Sequence, residues 1–152
     1  MMRETPMVPA PRAYLDGLDP SDPATGKHYA DMLEAQIEAE GPESVLAFLL
    51  EPVGGASTGA LVPPEGYMQR IREICDRYGV LLIMDEVMTG AGRTGAFLGC
   101  EHWNTRPDIV VLSKGFAAGY ASLGGIVAPE WIVEPVLGQG GFAHGFTYAG
   151  NP

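Results

Sequence analysis

Two stretches decide the fold: Val80-Leu81-Leu82-Ile83-Met84-Asp85-Glu86-Val87, and Ile109-Val110-Val111-Leu112-Ser113-Lys114-Gly115. Each is a short apolar run, rich in branched residues, that ends in a polar group. A strand covered on both faces is apolar along its length, as in parallel sheets. In open α/β sheets, ligands bind just beyond the carboxyl ends of the strands. The two runs therefore deliver a carboxylate, Asp85, and an amine, Lys114, to one rim from neighbouring strands.

Working outward, residues 1–26 are proline-rich, with Asp-Pro at 19–20 and 22–23, and read as an extended lead-in. From His28 to Glu40, Tyr29, Met32, Leu33 and Ile37 fall at helical spacing, and Gly41-Pro42 stops the helix. Val45 to Leu50 reads as a strand ending in Glu51-Pro52. Pro63-Pro64-Glu65 signals the start of a second helix, which places Met68, Ile71, Ile74, Cys75 and Tyr78 on one side and stops at Gly79. The Asp85 strand, a glycine-containing loop to Gly95, an irregular stretch around Trp103 and the Lys114 strand follow. Leu123 to Ala128 comes too soon after Gly115 for a helical crossover, so this last strand is predicted antiparallel. The pattern is α/β: three parallel strands plus one antiparallel strand, with flanking helices. Such a sheet is narrow, with two raw edges, and the chain is expected to be a piece of something larger.

Composition bounds the function. The chain has 152 residues, 46% of them hydrophobic, and a mean hydropathy near zero. These values describe a globular domain large enough for a core. A net charge of −10 disfavours nucleic acid and anionic membranes as partners. No apolar run approaches the ~20 residues of a membrane span, and Met1-Met2-Arg3-Glu4 does not open a secretory signal. Cys75 and Cys100 lie far apart without metal-ligand spacing. They read as reduced thiols of a cytoplasmic protein, and no metal site is expected.

An acid and a lysine at one rim suit pyridoxal phosphate, which is held by a lysine Schiff base with an acid against its pyridine nitrogen. Taken singly, each residue has a plainer reading: Lys114 as a solvated charge, Asp85 as a turn cap. The joint pattern is more specific. Asp85-Glu86-Val87-Met88-Thr89-Gly90-Ala91-Gly92-Arg93-Thr94-Gly95, then Pro107-Asp108-Ile109-Val110, then Ser113-Lys114-Gly115 resembles the cofactor signature of class III aminotransferases, fold-type I enzymes that use pyridoxal phosphate. Glu51-Pro52-Val53 and His144-Gly145-Phe146-Thr147-Tyr148 resemble the same family.

The resemblance implies roles. Lys114 would form the Schiff base and, once displaced by the substrate amine, carry the proton; burial would keep its amine ready for this. Asp85 would face the pyridine nitrogen. Val87, two residues on and on the same face if the strand continues, would lie against the ring. Thr147 would bond the cofactor phosphate of a neighbouring subunit, which makes the site that of a homodimer. Arg93 divides evenly between a site role and a loop role, Glu51 reads as structural, and His144 is as readily packing as catalysis. Trp103 and Trp131 read as core or interface residues.

In the family, relatives acting on ornithine or 4-aminobutyrate carry Glu where this chain has Ala56, and Gln where it has Met88. Both differences favour the omega-transaminase branch, with an amine or amino acid donor and a 2-keto acid acceptor such as pyruvate. The alternatives are a class III aminomutase, epimerase or decarboxylase, or an inactive truncated remnant. Residues 27–152 would be the later half of the family's large domain, with the small domain absent.

Overall fold

The computed structural model describes residues 5–144. The first helix, α1, spans Pro23–Glu40, five residues earlier than its apolar spacing indicates. The reason is a local cap. The Asp22 carboxylate accepts from the Ala24 amide at 2.8 Å, and Pro23 occupies the first helical position, where its missing N–H is no loss. The predicted extended lead-in therefore ends at Asp22. Gly26 sits in the first turn because a Cβ there would lie 1.9 Å from the Glu65 carbonyl oxygen.

The second helix, α2, runs Tyr67–Tyr78 and starts later than Pro63-Pro64-Glu65 suggests. Both prolines are buried, the Glu65 amide donates to the Pro20 carbonyl at 2.9 Å, and Gly66 turns the chain at φ +79°. Those residues dock the helix instead of beginning it. Its end is as expected: Gly79 adopts φ +67° and its amide caps onto the Cys75 carbonyl.

Tyr29, Ala30, Leu33 and Ile37 of α1 and Met68, Ile71, Ile74 and Cys75 of α2 form one buried cluster with Val80, Leu82 and Met84. Ion pairs clasp the two helices at the rim of this core. Arg70 reaches Asp31 at 3.0 Å and Glu34 at 2.8 Å, and Arg77 also pairs with Glu34.

Four strands make one sheet in the order β1 (Ala47–Leu50), β2 (Leu81–Asp85), β3 (Ile109–Leu112), β4 (Gly125–Val127). The first three are parallel, with Leu50 opposite Met84 and Asp85 opposite Val111. β4 is antiparallel to β3, with Ile126 opposite Val111, as the short connection requires. Register and alternation divide the faces. Leu82, Met84, Val110 and Leu112 are buried on the helix side. Leu49, Ile83, Asp85, Val111 and Ile126 share the other face, where Leu49 and Ile126 are exposed. The two-sided cover expected from the apolar runs is thus supplied on one side only by the described residues.

A further helix, α3 (Glu130–Gly138), was not indicated by the sequence pattern, and Pro135 lies within it. It exposes Trp131, Val133, Val136 and Leu137. Trp103, by contrast, packs against the core.

Candidate functional site

The site is built on the carboxyl ends of β2 and β3. Asp85 is the last residue of β2 and half-buried on the open face of the sheet. Its Oδ1 accepts from the Val87 amide at 3.0 Å, while Oδ2 has no protein partner among the described residues. β3 ends at Leu112, and Lys114 opens a short 3-10 turn over Lys114–Ala117. Lys114 stands at φ +45°, a left-handed conformation that costs a residue with a side chain about 1–3 kcal/mol and collects at functional sites. Its amine has no ion-pair partner among the described residues. The structure thus places Asp85 at the end of β2 and Lys114 just beyond the end of β3, at one rim of two adjacent parallel strands.

Lys114, expected to be buried in the whole enzyme, is exposed among the described residues. Val87 does not continue the strand. β2 stops at Asp85, and the chain turns at once, with the Gly90 amide donating to the Glu86 carbonyl at 2.7 Å. The strand alternation that placed Val87 on the Asp85 face therefore fails; Val87 meets Asp85 through its backbone N–H. Thr147 lies outside the described residues.

The loop after β2 folds over the Lys114 turn. A Cβ on Gly90 would lie 2.6 Å from Leu112 Cδ2 and 2.8 Å from the Glu86 carbonyl oxygen, so only glycine lets the loop pass the end of β3. Arg93 comes to the lysine turn: its Nη2 is 3.9 Å from where a Gly115 Cβ would stand. On the far side, Ser113 Oγ donates to the Leu123 carbonyl at 3.3 Å and ties the turn to the approach to β4.

Other residues settle into supporting places. Glu51 accepts from the Gly55 amide at 2.6 Å and closes the turn after β1. The His144 ring lies 5.7 Å from that of Phe142. Met88 is half-buried in the turn after β2, and Ala56 is exposed. Both cysteines are free and buried. Burial pushes the Cys75 thiol up to about 11; burial, and then the Glu86 carboxylate, pushes Cys100 up to about 12. Neither is a ready thiolate at neutral pH.

Two residues of the motif carry contacts that the sequence reading did not assign. Asp108 Oδ2 accepts from the Leu82 amide at 2.7 Å and from Arg72 at 2.8 Å, which locks the start of β3 to β2 and α2. Glu86 is completely buried. It accepts from the Thr89 hydroxyl and from the amides of Gly99 and Cys100, each amide at 2.8 Å. Alternation could have flagged it. If Asp85 faces the open side, Glu86 points with Met84 to the covered side, where a carboxylate has to find donors.

The family described as "Aminotransferase class-III" matches residues 1–152. The putrescine–pyruvate aminotransferase of Pseudomonas aeruginosa is 44% identical over 146 residues, 95% of this chain and 32% of that protein. Gamma aminobutyrate transaminase 2 of Solanum lycopersicum is 41% identical over 127 residues, 81% of this chain and 28% of that protein. Among solved structures, a thermostable (S)-enantioselective omega-transaminase from Thermomicrobium roseum superposes with a TM-score of 0.81 at 42% identity, over 91% of this chain and 31% of that one. The chain therefore spans about a third of the length of these relatives. Sheet order, rim residues and relatives agree: the chain belongs to the class III aminotransferases.

Proposed function

We propose that the protein carrying this chain transfers an amino group from an amine or amino acid donor to a 2-keto acid such as pyruvate, with pyridoxal phosphate as cofactor. One observation carries the reading: Asp85 and Lys114 stand at the carboxyl ends of neighbouring parallel strands. The residues fit the cofactor. Among the described residues Asp85 keeps one oxygen without a partner and Lys114 has no ion-pair partner, and the loop between them passes close to the end of β3 at Gly90.

When bound, the cofactor supplies an electron sink for charge that develops on the substrate carbon. The chain's own residues do the rest. Asp85, with its Oδ1 held by the Val87 amide, would keep Oδ2 for the protonated ring nitrogen of the cofactor. Lys114 would hold the cofactor through its amine and, when free, would serve to move the proton at the substrate carbon. Val87 is placed against the ring by resemblance, and Thr147 of a neighbouring subunit at the phosphate, which makes the working unit a homodimer. We place the enzyme in the cytoplasm, where Cys75 and Cys100, both free, would stay reduced.

Donor choice rests on Ala56 and Met88. Relatives named for putrescine and for γ-aminobutyrate are nearly equal in identity, 44% and 41%, so overall similarity does not separate them. Met88 also suits the aminomutase pattern, but Gly92-Arg93-Thr94-Gly95 and Ser113 are retained, which favours the transaminase. A screen of the full-length protein against 2-keto acids, pyruvate included, tests the proposal. Amino transfer to at least one acceptor is expected. Cofactor absorbance without transfer to any acceptor would point to another class III reaction, and no cofactor absorbance at all would point to an inactive remnant.

A further inference from the structure

Glu86 is the one charged side chain among the described residues that is buried, and no cation pairs with it there. Donors alone hold its carboxylate. The Thr89 hydroxyl and the Gly99 amide reach Oε2, and the Cys100 amide reaches Oε1. A buried carboxyl group that finds several donors has its hydrogen-bonding capacity met without a counter-ion. Taking such a charge out of water is nevertheless expensive, and an apolar contact would close the same space more cheaply. What the carboxylate adds is geometry.

Its donors come from the two ends of one loop. Thr89 lies in the turn that leaves β2, and Gly99 and Cys100 lie where the chain returns in a short 3-10 segment, Gly99–Trp103. There is no slack at this junction: a Cβ on Gly99 would stand 2.7 Å from Thr89 Cβ and 3.1 Å from Glu86 Oε2. Between the two ends runs the Gly92-Arg93-Thr94-Gly95 segment, whose Arg93 lies at the Lys114 turn. His102 Nε2 lies 3.0 Å from Thr94 Oγ1 and braces the loop from the return side. Glu86 also follows Asp85 directly, and its amide donates to the Val111 carbonyl at 2.9 Å. A shift at residue 86 therefore moves both the acid and the loop.

We infer that Glu86 is a positioning residue: from the covered face of β2 it sets the direction of Asp85 and holds the loop that brings Arg93 to the Lys114 turn. This rests on the aminotransferase reading given above. Glu86→Gln is the direct test, because a side-chain amide puts an NH2 against one of the two donor sets and breaks that side of the clamp.

Two readouts are needed. In the cofactor-free full-length protein, amide exchange over residues 87–100 should accelerate while α1 and α2 stay protected. In the loaded enzyme, at a temperature where the variant is folded, kcat should fall roughly 10- to 100-fold, the range expected for a misplaced catalytic group. KM for the amino donor should change little, and the pH dependence of the cofactor absorbance should shift. Thr89→Val, which removes one donor and leaves both backbone bonds, should move the same readouts in the same direction but less. It serves as the deciding variant if Glu86→Gln does not fold. Unchanged kcat and an unchanged absorbance profile in a folded variant would overturn the inference and leave Glu86 a purely structural anchor. Failure of the aminotransferase reading shows itself separately, in a wild-type protein that transfers no amino group.

Discussion

Asp108 offers the sharpest quantitative test of how the two site strands are held in register. Its Oδ2 accepts from the backbone N–H of Leu82, itself fully buried, and from Arg72, whose side chain is 18% exposed. Asp108→Ala removes both bonds. An amide left unsatisfied in the interior costs about 1–3 kcal/mol. The charge-assisted bond to Arg72 adds about 1 kcal/mol after discounting for partial exposure and for Asp76, which still pairs with Arg72 at 2.7 Å. The expected loss is therefore about 2–4 kcal/mol. Asp108→Asn can keep an oxygen at the same place and forfeits mainly the charge, so it should lose only about 1 kcal/mol. Urea denaturation of the full-length protein gives the totals, and hydrogen exchange at the Leu82 amide localises the effect. An alanine variant within about 0.5 kcal/mol of wild type, or an asparagine variant as damaged as the alanine one, would show that Asp108 does not hold the two strands together through these bonds.

Asp85→Ala should reduce kcat far more than cofactor affinity, since its carboxylate stabilises charge that appears only during reaction; steady-state kinetics with a cofactor titration measures both, and an unchanged rate removes Asp85 from the site. The 152-residue chain alone should self-associate and bind little pyridoxal phosphate, because among the described residues Leu49 and Ile126 stand exposed on one sheet face and β1 and β4 have no outer strand partner. Size-exclusion chromatography and an absorbance titration check this, and a monodisperse monomer with tight binding would contradict it. Alkaline pH should destabilise the fold. The Cys75 and Cys100 thiols stand at about 11 and about 12, above their unfolded value of about 8.5. Their contribution is thus complete below that pH and is lost as pH rises through the folded values. Urea midpoints at neutral and alkaline pH measure the loss, and Cys75→Ala should shrink it.

The parallel strands were legible because their apolar runs end in polar residues, and the antiparallel β4 because the seven residues between Gly115 and Leu123 cannot hold a crossover helix. Helix starts were not. The spacing of Tyr29, Leu33 and Ile37 marks a buried face, whereas the first turn of α1 is set by Asp22 and Pro23, which have no apolar period. Similarly, buried Pro63 and Pro64 look like a helix start but serve as a docking segment before Gly66. α3 escaped notice because its apolar residues leave no clear one-sided stripe and Pro135 interrupts the helical pattern. At the site, the motif named Asp85 and Lys114, and topology brought them together. Val87 was tied to the Asp85 face only if the strand ran on, and a sequence does not say where a strand stops. How far Lys114 is buried depends on what covers the rim beyond the described residues. Glu86 was within reach of simple alternation.

Lys114 is proposed as the residue that carries the cofactor. Borohydride reduction of the loaded full-length enzyme, followed by peptide mapping, tests this directly. A single modified peptide containing Ser113-Lys114-Gly115 is expected. A label on Lys27, which lies on α1 and pairs with Asp31, or on a lysine outside this chain, would contradict it.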